Sequence, residues 1–295
     1  MRAVVIHETG GPEVLRVEEV PEPEPGEGEV LVRVEAAGVN RFDLNQRAFS
    51  ASGFPLVLGG DAAGTRADSG ERVVVTRGKG AYAELMSVSE TKVWPLPDSL
   101  PTTVAAAMPV PYTTAWYALV DHGGLEAGQT LLVQGGASST GQAAIDIARA
   151  LGATVHATTS PRGHDRVREL GAEPLAYDDP RVAELEADVV FDPLGSRTFP
   201  QSVGAVRREG RVVTPGAVGN PNVSFNLWTL VGKRARIQGI GSAPAPRETM
   251  ERLIDLAAKG ELHPFVEREL PLEQAAEAHR LIESGEAVGR VVLVT

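Results

Sequence analysis

The segment 131–141 constrains the fold more than any other part of the sequence. An apolar run, Leu131-Leu132-Val133, leads into small residues, and apolar positions at helical spacing follow from Gly141 onward. A buried strand, a tight turn and a helix in this order open a βαβ unit. Further strands are expected at 154–157, 189–191 and 211–213, and helices at 113–120, 141–151, 165–170 and 199–206. This alternation predicts an α/β fold with a doubly wound parallel sheet.

The turn within this segment predicts a site for phosphate groups. Gly135, Ser138 and Gly141 have the spacing of a dinucleotide-binding turn, with serine where the middle glycine usually stands. The N–H groups and the dipole at the start of a helix attract anions, and small residues let a pyrophosphate approach the backbone. The alternative is that the glycines only let the helix pack closely on the strand. The expected contact residues are Gly135, Ala137, Ser138, Ser139, Thr140 and Gly141.

The end of the second strand indicates which dinucleotide binds. Enzymes that use NAD place an acidic residue there for the ribose hydroxyls, whereas this sequence has Thr158-Thr159-Ser160-Pro161-Arg162. A 2′-phosphate would gain charge-assisted hydrogen bonds from polar and basic residues, so NADPH is the expected cofactor. The expected contacts are Thr159, Ser160, Arg162 and Arg166, although each arginine taken singly could equally be a solvated helix residue.

The sequence on either side of the alternating region follows a different pattern. Before Pro109, short β-rich runs at 3–6, 30–34 and 72–75 are separated by proline and glycine turns. After about Ser242, the pattern predicts helices over 250–257 and 274–282 and a closing strand over 291–294. The chain is therefore expected to form a second, β-rich domain around the parallel sheet.

Composition excludes several classes of protein. The absence of cysteine excludes disulfides, thiolate zinc sites and cysteine nucleophiles. A net charge of −11 argues against nucleic acid as a partner, and no apolar run is long enough to span a membrane. The N-terminus lacks the features of a signal peptide, so a cytoplasmic location is expected. The six histidines are scattered, and His7 and His279 are expected to be structural.

Several segments, in order along the whole chain, resemble the zinc-free quinone oxidoreductase (zeta-crystallin-like) branch of the medium-chain dehydrogenase/reductase superfamily. They lie at 38–43, 59–64, 80–84, 114–119, 190–195 and 285–293. The resemblance implies a GroES-like β-rich catalytic domain at 1–112, completed by 244–295, and a Rossmann NADP(H)-binding domain at 113–243. The active cleft would lie between the domains. Members are usually dimers or tetramers joined through the nucleotide domains, and 235–240 resembles the edge strand at that joint.

The resemblance also implies the catalytic positions, which are Asn40, Asp43 and Asn45. The Asn40 amide can donate to a carbonyl oxygen on which charge develops, and a hydrogen bond that only fixes its loop is the alternative. Asp43 is expected to pair with Arg47 and to shape the loop rather than transfer a proton. Asn45 stands where many members carry a tyrosine, so a phenol donor is missing.

Further cofactor contacts are expected at Thr114, Gly216, Ala217, Ile240 and Gly241, although Thr114 could instead cap its own helix. Alcohol dehydrogenases of the superfamily carry zinc ligands, cysteine and histidine, at the positions of Asn40 and Gly60, so no catalytic metal is expected. The stretch from Gly64 to Gly70 is shorter than usual, which is expected to reshape the mouth of the cleft.

The function expected from these features is metal-free hydride transfer from NADPH to a small quinone or related conjugated carbonyl compound. Two alternatives remain. One is a reductase of enoyl thioesters or alkenals on the same scaffold. The other is an NADPH-binding protein with a sensing or structural role and little turnover.

Overall fold

The structure, a computed structural model, describes residues 1–50, 53–241 and 246–295. The chain divides into two compact units: Met1–Val110 with Met250–Thr295, and Pro111–Thr249. We call these the first unit and the second unit. The first division lies two residues before the expected boundary between residues 112 and 113. The expected return to the first domain, between residues 243 and 244, lies outside the described residues.

The N-terminal part of the chain is mainly β-structure. Its strands are β1 (Arg2–Ile6), β2 (Arg16–Glu19), β3 (Glu29–Gly38), β4 (Leu56–Val57), β5 (Asp61–Arg66), β6 (Arg72–Val75), β7 (Leu85–Ser89) and β8 (Val93–Pro95), and its helices are α1 (Arg41–Phe49) and α2 (Thr102–Ala107).

Strands and helices alternate through the middle of the chain. They are α3 (Pro109–Trp116), β9 (Thr130–Gln134), α4 (Ser139–Ala150), β10 (Thr154–Thr158), α5 (His164–Glu169), β11 (Glu173–Leu175), β12 (Ala187–Phe191), α6 (Phe199–Ala205), β13 (Val206–Thr214), α7 (Leu227–Lys233) and β14 (Arg236–Gly239). The C-terminal part contains α8 (Arg247–Ala258), β15 (Val266–Pro271), α9 (Ala275–Glu283) and β16 (Arg290–Val294).

The main sheet of the first unit joins the two ends of the chain. Its order is β15-β16-β3-β5-β6-β8, and β7 also pairs with β3. Burial alternates along the first part of β3 and then becomes continuous from Ala36 to Gly38, where α2 packs on the strand and β16 pairs with it. The end of β3 is therefore enclosed, and the residues that follow it, beginning with Asn40, lie in the interior.

The second unit contains a six-stranded, wholly parallel sheet in the order β11-β10-β9-β12-β13-β14. This is the strand order of a dinucleotide-binding Rossmann sheet, and it confirms the predicted α/β fold with a doubly wound parallel sheet. The order reverses between β9 and β12. In such sheets ligands bind beyond the carboxyl ends of the strands at this reversal, which is where the turn after β9 lies.

Some elements differ from the sequence-based expectation. The helix expected at 113–120 begins earlier, at Pro109, and continues through a π-helical turn to His122. Proline suits the first turn of a helix because its missing N–H has no partner to lose there. β11 was not expected, because it has three residues and includes Pro174. Within the part of the chain that the structure describes, no helix is both long and apolar enough to cross a membrane.

The short connection after Gly64 is a tight turn between β5 and β6, with Arg66 bound to Asp68 beside it. The turn follows Arg66, whereas Asp61, at the start of β5, pairs with Gly38. The shortening therefore lies at the end of β5 that is remote from Asn40. The expected effect of this shortening on the mouth of the cleft stays a prediction.

Candidate active site

The turn after β9 is built from close backbone contacts. Gly135 has a φ of +75°, a left-handed conformation that glycine adopts without strain. A Cβ atom at Gly141 would lie 2.3 Å from the Gly135 carbonyl oxygen, so no side chain fits there. The Ser138 hydroxyl caps α4 by accepting from the Gly141 N–H at 3.1 Å, and it donates to the Gly135 carbonyl at 2.8 Å. Ser138 thus stabilises the turn with its hydroxyl.

Most of the expected cofactor residues lie at one edge of the parallel sheet. Because all six strands run in one direction, the residues that follow them meet at the same edge. Gly135 to Gly141 follow β9, and Thr159 to Arg162 follow β10. Gly216 and Ala217 follow β13, and Ile240 and Gly241 follow β14. Two expected residues lie elsewhere: Thr114 in α3 and Arg166 in α5.

The residues after β10 differ in exposure. Ser160 and Arg162 are exposed, whereas Thr159 is buried. Arg166 is mostly enclosed, with its side chain 17% exposed, and it donates to Gln142 on α4 at 3.0 Å and pairs with Glu169 at 3.2 Å. Ser160 and Arg162 are therefore exposed in the segment that follows β10, whereas Arg166 joins α5 to α4.

Sequence reasoning missed a buried polar network that connects three neighbouring strand ends. Thr158 donates to Gln134, and Gln134 donates to Ser202 at 3.2 Å. Ser202 in turn donates to Asp192 at 2.7 Å. Asp192 also accepts from the Thr198 hydroxyl and from backbone N–H groups of the loop after β12. The network fixes the strand ends that border the reversal point. Its signal in the sequence is a polar residue, Gln134, that ends an apolar strand.

Asn40 lies at the centre of a second polar cluster, in the first unit, where β3 ends and α1 begins. Its backbone N–H donates to the Asp43 carboxylate at 2.8 Å. Its side-chain Oδ1 accepts from Arg290 at 2.7 Å, and its Nδ2 donates to Asp61 at 2.9 Å. The amide is 5% exposed. The loop-fixing role considered as the alternative for Asn40 is therefore present in these bonds.

A buried ion pair joins the two ends of the chain beside Asn40. The Arg290 guanidinium lies 3.0 Å from the Asp61 carboxylate, and neither side chain is more than 4% exposed. Arg290 also donates to the Val39 carbonyl at 2.6 Å. Asp61 and Arg290 are 229 positions apart, and no local pattern in the sequence joins them into one site.

A chain of hydrogen bonds runs from Arg47 through His279 and Tyr82 to Asp43, and Arg47 fixes the direction in which each bond is donated. Arg47 can only donate, so the Nδ1 of His279, at 3.2 Å, accepts, and the proton of the neutral ring lies on Nε2. Nε2 then donates to the Tyr82 hydroxyl at 3.3 Å, and Tyr82 donates to Asp43 at 3.1 Å. Burial and the charge of Arg47 lower the pKa of His279 to about 3, in agreement with a neutral ring.

The expected pair of Asp43 and Arg47 is wrong. Arg47 forms its ion pair with Glu283 on α9 and also donates to the Gly10 carbonyl at 3.0 Å. Asp43 is instead satisfied by Asn40 and Tyr82. Both residues lie on the buried face of α1, where Arg47 contacts α9 and the loop after β1, and Asp43 contacts Tyr82 between β6 and β7.

The buried charges in this cluster do not balance. Two carboxylates, Asp43 and Asp61, lie near one guanidinium, that of Arg290. The pKa of Asp43 is raised to about 7, mainly by burial and also by the negative charge of Asp61, although hydrogen bonds from Asn40 and Tyr82 oppose the rise. Burial also raises the pKa of Asp61, but Arg290 opposes this rise directly. Asp43 is thus the carboxylate that more readily holds a proton.

Asn45 does not belong to this cluster. It lies on the exposed face of α1 together with two exposed aromatic side chains, Phe42 and Phe49. The structure therefore brings Asn40 and Asp43 together, but not Asn45.

The cluster does not provide a set of zinc ligands. Over the described ranges, no group of three or more histidine, cysteine, aspartate or glutamate side chains is placed to hold a metal ion. The amide of Asn40 and the carboxylate of Asp61 are both bound by Arg290, whose fixed positive charge would repel a second cation. The donor set therefore does not fit zinc.

Comparisons with known proteins agree with this architecture. A family model described as "Alcohol dehydrogenase GroES-like domain" matches residues 26–98, and one described as "Zinc-binding dehydrogenase" matches residues 170–293. The quinone oxidoreductase of Lama guanicoe is 32% identical over an alignment of 323 positions, which covers 100% of this chain and 97% of that protein.

Solved structures match over the whole chain. A structure described as an NAD-dependent alcohol dehydrogenase has a TM-score of 0.93 at 32% identity, with 100% of both chains covered. The Escherichia coli quinone oxidoreductase complexed with NADPH has a TM-score of 0.91 at 26% identity, also with 100% of both chains covered.

A GroES-like domain and a Rossmann sheet in one chain define the medium-chain dehydrogenase/reductase class. Within that class, this chain belongs to the quinone oxidoreductase family, the zeta-crystallin-like branch. The resemblance noted in the sequence is therefore confirmed.

Proposed function

We propose that the protein transfers hydride from NADPH to quinones or related conjugated carbonyl compounds, and that it does so without a metal. The observation that carries the proposal is the carboxyl edge of the parallel sheet, where the glycine turn after β9 lies beside an end of β10 that has no acidic residue. The two structural neighbours name different cofactors, so the residues after β10 are what favour NADPH here.

The residues at this edge have the chemistry that NADPH requires. The first turn of α4, with the partly exposed Ser139 and Thr140, is suited to the pyrophosphate. Ser160 and Arg162 are suited to the 2′-phosphate, because an exposed guanidinium gains a charge-assisted bond from it. The further proposed contacts are Gly135, Ala137, Ser138, Gly141, Thr114, Thr159, Arg166, Gly216, Ala217, Ile240 and Gly241. When bound, the cofactor supplies the hydride.

Asn40 is the proposed substrate-facing group. One of its two Nδ2 hydrogens is used by Asp61, and the other has a contact of 3.5 Å to the Gly38 carbonyl, which is too long to be a strong hydrogen bond. In the proposal, this second N–H donates to the substrate oxygen on which negative charge develops. Asp43 positions the backbone of Asn40, and it transfers no proton.

Metal independence rests on the donor chemistry of the cluster. Asn40 and Asp61 are committed to Arg290, and Gly60 has no side chain with which to bind a metal. Reduction in this proposal depends on orientation and on hydrogen bonding from the chain, so no step requires a Lewis acid.

A comparison of substrate classes tests the proposal. Purified protein would be given NADPH together with 1,4-benzoquinone, 9,10-phenanthrenequinone, an alkenal or an enoyl thioester, and the loss of NADPH absorbance would be followed. Turnover is expected with the quinones, and with NADPH well above NADH. Turnover with the enoyl thioester alone would assign the chain to the double-bond reductases. Tight NADPH binding without turnover on any of these compounds would favour a sensing or structural role.

We also propose that two copies join through the edge strand β14, forming a homodimer or the dimer unit of a homotetramer. All four residues of β14 are exposed, and this strand ends the sheet with backbone groups available for pairing. Trp228 and Leu227 on α7, which precedes β14 in the chain, are also exposed. Light scattering should give at least twice the monomer mass, and Ile237→Lys should reduce it.

A further inference from the structure

The Asn40 amide is held at both ends by charged side chains. Arg290 donates to Oδ1 at 2.7 Å, and Nδ2 donates to Asp61 at 2.9 Å. The direct contact of 3.0 Å between Arg290 and Asp61 closes the ring. The two ends of an amide have almost the same shape, but a guanidinium can only donate and a carboxylate can only accept. The ring therefore permits one orientation of the amide.

The position of Arg290 is built into the backbone. A Cβ atom at Gly38 would lie 2.3 Å from an Arg290 terminal nitrogen and 2.3 Å from the Ala106 carbonyl oxygen. Glycine at the end of β3 therefore makes the room in which the guanidinium lies against the strand. Both terminal nitrogens are used, by Val39, Asn40 and Asp61, whereas Nε, which is buried, has no hydrogen-bond partner among the described residues. The orientation of the Arg290 guanidinium is thus set by the ring of hydrogen bonds with Asn40 and Asp61.

Arg290 is poorly placed to act on a substrate by its own charge. It is buried, and two carboxylates, Asp61 and Asp43, lower the potential around it. Three of its four terminal N–H groups donate, and their acceptors, Val39, Asn40 and Asp61, all belong to the chain itself. The contact through which Arg290 can act on the proposed substrate-facing group is therefore its hydrogen bond to the Oδ1 of Asn40.

We infer that Arg290 and Asp61 are the positioning residues of the reaction: together they turn the Asn40 amide so that Nδ2, and not Oδ1, is the end that meets the substrate oxygen. The inference rests on the proposed function, in which Asn40 donates to that oxygen. A reversed amide would present a lone pair to a developing negative charge, which is repulsive. Without the ring, both orientations become accessible, and the chemical step slows while NADPH binding is retained.

Paired substitutions separate positioning from a merely structural role. Arg290→Met alone leaves Asp61 as an uncompensated buried charge, so both the melting temperature and kcat should fall. The double variant Arg290→Met with Asp61→Asn removes both charges, and its melting temperature should return toward that of the parent. If the ring positions Asn40, kcat of the double variant stays about a hundredfold low while KM for NADPH is unchanged. Recovery of kcat together with the melting temperature would overturn the inference.

A conservative variant keeps the test decisive should the double variant fail to fold. Arg290→Lys retains the charge, but a single ammonium cannot hold Asp61 and Asn40 in the same planar arrangement. We expect it to fold and to lose kcat about tenfold, since a partly released amide samples both orientations. Full kcat in Arg290→Lys would contradict the inference.

Two controls show whether a negative result contradicts the proposed function or only the positioning role of Arg290 and Asp61. Arg207→Met with Asp188→Asn removes an ion pair in the second unit, far from the ring in sequence, and should leave kcat unchanged. Asn40→Ala tests the proposed function itself. If Asn40→Ala retains kcat, the role of Asn40 as donor fails, and the inference fails with it. If Asn40→Ala loses kcat while the double variant at Arg290 and Asp61 keeps it, only the positioning inference fails.

Discussion

Replacing Asp43 with asparagine should remove a specific pH dependence from the stability of the protein. Burial raises the pKa of Asp43 from its usual value of 3.8 to about 7. A carboxyl group with a raised pKa in the folded state stabilises the fold while it is protonated. That stability is present in full below pH 3.8 and is lost as the pH rises to about 7.

The size of the effect follows from the change in pKa. A rise from 3.8 to about 7 corresponds to about 4 kcal/mol between the two ends of the range. Asp61 and Arg290 titrate in the same cluster, so about half of this value is a realistic lower bound. Asparagine is neutral throughout, and its Oδ1 can still accept from the Asn40 N–H and from the Tyr82 hydroxyl. The stability of Asp43→Asn relative to the parent should therefore increase by about 2 to 4 kcal/mol as the pH is raised.

Urea unfolding at several pH values between about 4.5 and 8.5 measures this difference. Asp68→Asn is the matched control, because the exposed carboxylate of Asp68 has a pKa that Arg66 lowers to about 2, outside the range studied. Its effect on the free energy of unfolding should be the same at every pH. If the difference between Asp43→Asn and the parent were equally constant, Asp43 would ionise at its usual pH. The hydrogen bonds to Asp43 would then fully offset its burial, and the imbalance of buried charge would not raise its pKa.

Three further predictions concern the cofactor and the metal. Ser139→Asp places a carboxylate in the first turn of α4. It should slightly raise the melting temperature through the helix dipole, and it should weaken NADPH binding because it repels the pyrophosphate. Undiminished NADPH affinity in a fluorescence titration would place the phosphates elsewhere. Gly141→Val is not a substitute test, because its Cβ would meet the Gly135 carbonyl oxygen at 2.3 Å and would disturb the turn itself. NADPH should bind roughly ten- to a hundredfold more tightly than NADH. Arg162→Ala should remove most of that preference without affecting the affinity for NADH. Equal dissociation constants for the two cofactors in the parent would contradict the assignment of the 2′-phosphate site to the residues after β10. Activity should survive exhaustive chelation, and elemental analysis should find far less than one zinc per chain. A tightly held stoichiometric zinc would contradict the conclusion that the donor set of the Asn40 cluster does not fit zinc.

The sequence alone was sufficient for features that depend on neighbouring residues. The strand, glycine turn and helix at 131–150 follow from local periodicity and from small residues at fixed spacing, and the structure has them within two residues of their expected bounds. The parallel sheet followed from the repetition of that pattern. The family could be identified because its motifs are spread in order along the whole chain. The NADPH contacts, the oligomeric state and the cytoplasmic location stay predictions.

Only the tertiary structure decided how the polar residues of the first unit are paired. The resemblance to the family suggested a pair between Asp43 and Arg47, but it could not show that α9 supplies Glu283 and His279 to Arg47. Arg290 reaches Asn40 across 250 positions of sequence, because β16 pairs with β3 at the end of the chain. Such contacts depend on which strands become neighbours and on the space left by a glycine such as Gly38. Neither property is present in any local stretch of sequence, since both arise only when distant segments pack together.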